Sequence, residues 1–231
     1  MVTHKFVMQT SRQLKSPLLC FECEQLLRER GEDWVIPQLA QHRARFPFGE
    51  SLQQLPKLSE DPDLTEYTLA GIHHTQTDQL VHFALGVFWK ASVHNWINAK
   101  DERPVRLETE DMERLRKFLL GEEKFPPLVA LTLSVLPLPG IDISFCVPFE
   151  TPGISACRTF HWYICGLYFG LWMGPAVPLA IFQGSLNYHP NTVLVYDIRE
   201  YFAKRQKDAY ADAKKSLKLQ EYLSRRQVEQ P

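Results

Sequence analysis

Residues 160–182 read FHWYICGLYFGLWMGPAVPLAIF, an apolar run long enough to raise the question of a membrane span. A spanning helix needs about 20 apolar residues that all accept one helix. Here Gly166, Gly170, Gly174, Pro175 and Pro178 break the run, and Arg158 and His161 stand at its start. Aromatic residues and glycines recur at strand-like lengths, which predicts a buried β-hairpin. No membrane partner is expected.

The same texture extends over residues 127–198. Short apolar runs (LVALTLSVL, ISFCVPF, TFHWYICGL, YFGLWMG, VPLAIF, TVLVYDI) are separated by Pro and Gly, and they predict five or six antiparallel strands. The first half of the chain has a different period. Leu80, Val81, Ala84, Val87, Phe88, Ala91 and Trp96 repeat at helical spacing, predicting a core helix over 77–98 capped by Thr77 or Asp78. A shorter amphipathic helix is expected over 108–120, capped by Thr109 and ended by Gly121, with acidic residues early and basic ones late. A helix over 20–30 closed by Gly31, a helical piece over 32–42, a connection over 43–64 and a strand over 66–72 complete this half. Residues 199–230 predict a final, highly charged helix. Helices followed by strands indicate an α+β fold rather than alternating βαβ units. The expected organisation is a single domain over 1–231: a mainly helical half (1–125), an antiparallel sheet half (126–198) and a C-terminal helix (199–231).

A formal net charge of −1 excludes a whole-molecule basic field that would draw the chain onto nucleic acid or anionic lipid, so any such contact must come from a local patch. The cysteines number five and stand at 20, 23, 146, 157 and 165. An odd number without framework spacing predicts a reducing, cytoplasmic setting. The first residues, MVTHKFVMQTSRQLKS, do not read as a signal peptide.

The sharpest chemical feature is Cys20-x-x-Cys23. Two sulfurs with two residues between them can share one metal when the backbone turns tightly, and a helix starting at the second cysteine favours thiolate. In LLCFECEQLL the pair sits between Leu18-Leu19 and a helical segment. A structural zinc site needs four ligands, and this pair supplies two. Three readings stay open: zinc completed by remote residues, a remnant knuckle without metal, and a redox dithiol. His4, His42, His73, His74, Cys146, Cys157 and Cys165 are the other candidate ligands, none singled out by spacing. The three later cysteines fall in strand-like apolar runs and read as buried thiols. His82 and His94 lie over three turns apart on the predicted core helix and cannot share a metal through it. Glu22, Glu24, Glu32 and Asp33 cluster near the knuckle, either as a divalent-metal or acid/base group or as a solvated helix face. Neither a nucleophile elbow nor a P-loop nor a dinucleotide fingerprint is present.

The run TSRQLKSPLLCFECEQLLRERGEDWV (10–35) resembles the second knuckle of a large bacterial family whose members often resemble HNH-type treble-clef endonucleases at their N-termini. HFALGVFWKASVHNW (82–96), FLLGEEKFP (118–126) and ICGLYFGLWMG (164–174) are similar to later blocks of the same family. The resemblance implies a zinc knuckle at Cys20, Cys23 and Glu24. Its first C-x-x-C and its His-Pro segment have no counterpart here, so no catalytic histidine carries over. A treble-clef nuclease needs both a histidine and a metal.

Over residues 204–226 of the last predicted helix, Lys204, Arg205, Lys207, Lys214, Lys215 and Lys218, with Arg225 and Arg226, set eight basic residues against Asp208, Asp212 and Glu221. This face is a candidate contact for nucleic acid, for a protein partner or for a second copy of the chain. The leading expectation is a non-catalytic, degenerate relative of treble-clef nucleases that binds nucleic acid or protein. The alternatives are a metal-dependent nuclease with ligands completed elsewhere and a metal-free interaction protein.

Overall fold

In the computed structural model, the apolar run forms the central hairpin of a four-stranded antiparallel sheet. Residues 18–41, 45–61, 64–68, 74–94, 105–135, 146–151, 156–188 and 192–196 are described, and all lie within one unit built from Pro17–Trp96 and Arg103–Asp197. Strands β3 (Val129–Val135), β4 (Phe149–Thr151), β5 (Arg158–Ile164) and β6 (Leu167–Met173) are ordered β3-β6-β5-β4. A two-residue turn joins β5 to β6, with Cys165 at φ 40° and Gly166 at φ 92°. Positive φ at both centres is the primed turn whose twist matches the flanking strands. The turn docks on the helical half: Ala40 N–H donates to the Cys165 carbonyl at 2.8 Å, and a Cβ at Gly166 would meet the Phe46 ring at 2.9 Å.

Alternation gives the sheet two faces. Leu131, Leu133, Phe160, Trp162, Phe169 and Leu171 point into the main core. Helix α4 (His74–Val93) packs on this face, its Phe83 ring 5.3 Å from Trp162 and 6.3 Å from Phe169. Behind α4 runs an unbroken helical stretch: α1 (Phe21–Leu27), a π-helical turn (Arg28–Glu32) and α2 (Asp33–Gln38). Helix α5 (Thr109–Leu120) packs beside α4 and ends at Gly121, which is left-handed at φ 78°. The Arg30 guanidinium donates to the Leu119 carbonyl there at 3.2 Å, tying the π turn to the end of α5.

The outer edge of β3 is closed by a side chain. Leu131 N–H donates to Asn187 Oδ1 (2.8 Å), and Asn187 Nδ2 donates to the Val129 carbonyl (3.0 Å). An uncovered edge is a template for pairing with another chain, and the carboxamide occupies it. A second sheet, ordered β1-β2-β7, joins β1 (Lys57–Asp61) and β2 (Leu64–Thr68) to β7 (Thr192–Tyr196). Its edge strand β1 reads KLSED, a charged edge of the kind that resists such pairing.

The α+β class holds, and so do the core helix, the helix ended by Gly121 and the hairpin. Several local expectations are corrected. Gly31 does not close a helix; it lies inside the continuous stretch, where α4 leaves no room for a side chain. A Cβ there would sit 2.8 Å from Phe83 N and 2.9 Å from Phe83 Cα. The segment 43–64 is not a plain connection, because Pro47 at the first helical position starts α3 (Pro47–Leu52) and β1 follows. The strand expected over 66–72 is β2, two residues earlier. Thr77 is no cap; it is fully buried inside α4. Thr109 is the first residue of α5, and Glu108 is its N-cap. VPLAIF is not a strand: Pro178 caps the short helix α6 (Leu179–Gln183), which packs against β3. The strands of 127–198 also do not form one sheet, since β7 pairs with β2 from the helical half. The expected helix over 199–231 lies outside the described residues.

Gly31→Ala is expected to destabilise the protein. On an open helix surface the same change gains up to about 1 kcal/mol, but here the new methyl meets backbone that cannot rotate away. Overpacking of this kind costs about 1–3 kcal/mol. Thermal denaturation should show a Tm lower by about 2–4 °C for each kcal/mol; an unchanged or higher Tm contradicts the close approach.

Candidate functional site

The Cys20-x-x-Cys23 pair occupies the start of α1. Cys20 is extended (φ −70°, ψ 166°) and serves as N-cap, its Sγ accepting the Cys23 N–H at 3.4 Å. Its carbonyl accepts the Glu24 N–H at 3.0 Å, which starts the helix. A sulfur thus takes the capping role usually filled by Ser, Thr, Asp or Asn. Cys20 is exposed and Cys23 half-buried. Between them Phe21 projects into solvent with 78% of its surface exposed. Glu22 and Glu24 lie in the first turn, where the helix dipole favours carboxylates.

Hydrogen bonding sets the electrostatics of this turn. The bond to Cys20 raises the Cys23 thiol above its ordinary range; burial, the Cys20 charge and Glu22 add to this, and Arg116 opposes it. The expectation that the helix start would favour thiolate is therefore corrected for Cys23. The Glu22 carboxyl is held below its usual range by its backbone hydrogen bond and then by its bond to Cys20. Lys90, reaching from α4, donates to Glu24 at 3.2 Å and to Glu32 at 3.1 Å, clamping two turns of the neighbouring helix. Arg28 pairs with Asp33, and Arg116 with Glu113 and Glu122. The acidic cluster of Glu22, Glu24, Glu32 and Asp33 does not converge on one point; Glu24, Glu32 and Asp33 are in ion pairs.

Cys20 and Cys23 lie on one turn, with Cys20 exposed and Cys23 half-buried. Among the described residues, no group of three or more His, Cys, Asp or Glu side chains is placed to hold a metal ion. His82 is half-buried against Phe118, the rings stacked at 4.8 Å. Burial, then the Arg30 guanidinium, holds His82 below the usual imidazole range, with Asp78 opposing. His94 ends α4 and is half-buried. Cys157 is buried beside β5, Cys146 is half-buried next to Tyr163, and Cys165 lies in the β5–β6 turn rather than in a strand. His4, His42, His73 and the basic contacts Lys204, Arg205, Lys207, Lys214, Lys215 and Lys218 lie outside the described residues, as does the side chain of His74.

A second cluster stands on the other face of the four-stranded sheet. Phe149, His161, Gly170 and Thr132 form one row across four strands. The His161 ring lies 5.5 Å from Tyr168, 5.9 Å from Phe149 and 6.0 Å from Trp172. Gly170 leaves the space over which Trp172 Nε1 reaches Thr132 Oγ1 at 3.3 Å. Alternation within TFHWYICGLYFGLWMG assigns His161, Tyr168, Gly170 and Trp172 to one face; the cross-strand register that adds Phe149 and Thr132 is a property of the pairing. No family model matches this chain, and no curated protein or solved structure matches it.

Two outcomes follow from the titrating groups. Removing the Cys20 sulfur in Cys20→Ala should bring the Cys23 thiol down toward its ordinary range, so alkylation of Cys23 at fixed mildly alkaline pH should speed up. Mass-resolved alkylation against pH measures it, and a slower reaction contradicts the bond. His82 has a folded-state affinity for protons below its unfolded one, so its contribution to stability is present above the unfolded value and is lost as pH falls. His82→Gln should therefore show a smaller drop in Tm between about pH 7.5 and about pH 5.5 than the parent chain.

Proposed function

We propose that this chain is a non-catalytic binding module of treble-clef descent, and that its knuckle face takes a protein partner rather than nucleic acid. The observation that carries this reading is the surface around Cys20 and Cys23. An exposed Phe21 sits at its centre, and the cations beside it, Arg28, Lys90 and Arg116, are bonded to carboxylates. Affinity for a phosphate backbone comes from cations that displace condensed counterions. A cation already neutralised by a carboxylate contributes little of that. An aromatic anchor with a polar rim is the composition of protein-binding patches, and this rim, with more carboxylates than cations, disfavours a phosphate backbone. Zinc, where bound, would be held by Cys20 and Cys23 as half of a tetrahedral set and would stiffen the turn. The residues that the family resemblance carries over include no histidine, so hydrolysis is not part of the reading.

The test places a photo-crosslinking phenylalanine analogue at position 21 of the full chain and irradiates it in cells. The expected product is a protein adduct identified by mass spectrometry. A nucleic-acid adduct, or cleavage of supercoiled DNA by the purified protein with magnesium, manganese or zinc, overturns the proposal.

A further inference from the structure

We propose that Cys20 and Cys23 are a redox-active dithiol that closes to an intramolecular disulfide by exchange with a low-molecular-weight disulfide. This rests on the geometry of the pair, and neither on bound metal nor on the partner face proposed above.

The two residues are matched in position and unequal in environment. Cys20, exposed and extended at the N-cap, offers its sulfur to solvent. Cys23, in the first turn, is half-buried, and its backbone N–H donates to Cys20 Sγ at 3.4 Å. Closing the pair needs a side-chain rotation that brings the two sulfurs to the disulfide length of about 2.05 Å. The backbone behind them is held in place: Lys90 ties Glu24 to α4, and Leu27 is buried in the core below. Closure therefore needs no refolding. The other three cysteines lie in the sheet half, where Cys146 accepts the Tyr163 N–H at 3.3 Å and Cys157 is buried.

The exchange balances in two steps. Cys20, as thiolate, attacks one sulfur of the disulfide RSSR, forming Cys20–S–S–R and expelling RS⁻. Cys23 then releases its proton to solvent, and its thiolate attacks Cys20 Sγ and expels the second RS⁻. The two thiolates take up two protons, equal to those the cysteines released. The protein dithiol loses two electrons and RSSR is reduced to two RSH. Exposure makes Cys20 the first nucleophile and leaves the half-buried Cys23 as the resolving thiol.

The experiment uses the full chain, reduced and kept in chelator, in buffers of oxidised and reduced glutathione. After acid quenching, the expected product has lost two hydrogen atoms in mass, with Cys20 and Cys23 linked in one peptide and the other three cysteines open to alkylation after denaturation. In Cys23→Ser, a glutathione adduct should accumulate at Cys20 and persist. In Cys20→Ser, Cys23 has no second thiol to close with, so a mixed disulfide at Cys23 should form and persist, with no loss of two hydrogen atoms. Cys20 and Cys23 both remaining alkylable in fully oxidised buffer overturns the proposal, as does an adduct that resolves equally fast without Cys23. Circular dichroism of each variant establishes that it is folded. Chelator removes the metal reading from this test and Phe21 is unaltered, so the outcome is separate from that of the crosslinking experiment.

Discussion

The fold turns on Phe83. Its backbone lies so close to Gly31 that the facing residue can carry no side chain, and its ring packs against the stacked rings of Trp162 and Phe169 on the sheet. One residue therefore sets the spacing of two layers. Full burial of a phenylalanine contributes about 1.5–3 kcal/mol, and the contact also fixes how α4 lies between the helical stretch and the sheet. The π turn belongs to the same constraint. The Asp33 N–H reaches back five residues to the Arg28 carbonyl, and the extra residue sits in the stretch where Gly31 meets α4, Arg30 meets α5 and Glu32 meets Lys90. Single-turn π insertions in α-helices recur at such special sites.

That frame is what gives the knuckle a defined shape. A C-x-x-C at the start of an isolated seven-residue helix would fray, because short helices are marginal alone. Here the helix continues through the π turn to Gln38, is buried along Leu27, Gly31 and Val35, and is clamped by Lys90. The partly buried lysine with two carboxylates has a second effect. It removes its own charge from the surface next to the cysteines. The turn that carries Cys20 and Cys23 is thus tied to α4, has more carboxylates than cations around it and is marked by the exposed Phe21 ring.

Much of this was legible in the chain itself. The helical spacing of Leu80, Val81, Ala84 and Phe88 identified the core helix, and Gly121 its neighbour's end, because both signals are local. The glycine-broken apolar run identified the hairpin, since a two-residue turn at Cys165-Gly166 needs no distant partner. The misses share a cause. Gly31 carries the composition of a helix stop, yet its role comes from a residue 52 positions away. VPLAIF has strand-like residues, but Pro178 in the cap position and packing against β3 made it a helix. Strand β7 pairs with β2 across more than a hundred residues, and such long-range pairing leaves no mark on either segment alone.

By itself the sequence determined the fold class, the positions of the strong helices and the hairpin, and the presence of a Cys-x-x-Cys pair at a helix start. These depend on periodicity and on turn chemistry over a few residues. Only the tertiary structure decided that Cys20 is exposed while Cys23 is half-buried, that Glu24, Glu32 and Asp33 are paired with Lys90 and Arg28, and that His161 sits among Phe149, Tyr168 and Trp172. Exposure, ion pairing and cross-strand register are relations between segments distant in sequence, and they exist only once the layers on either side of Phe83 have closed.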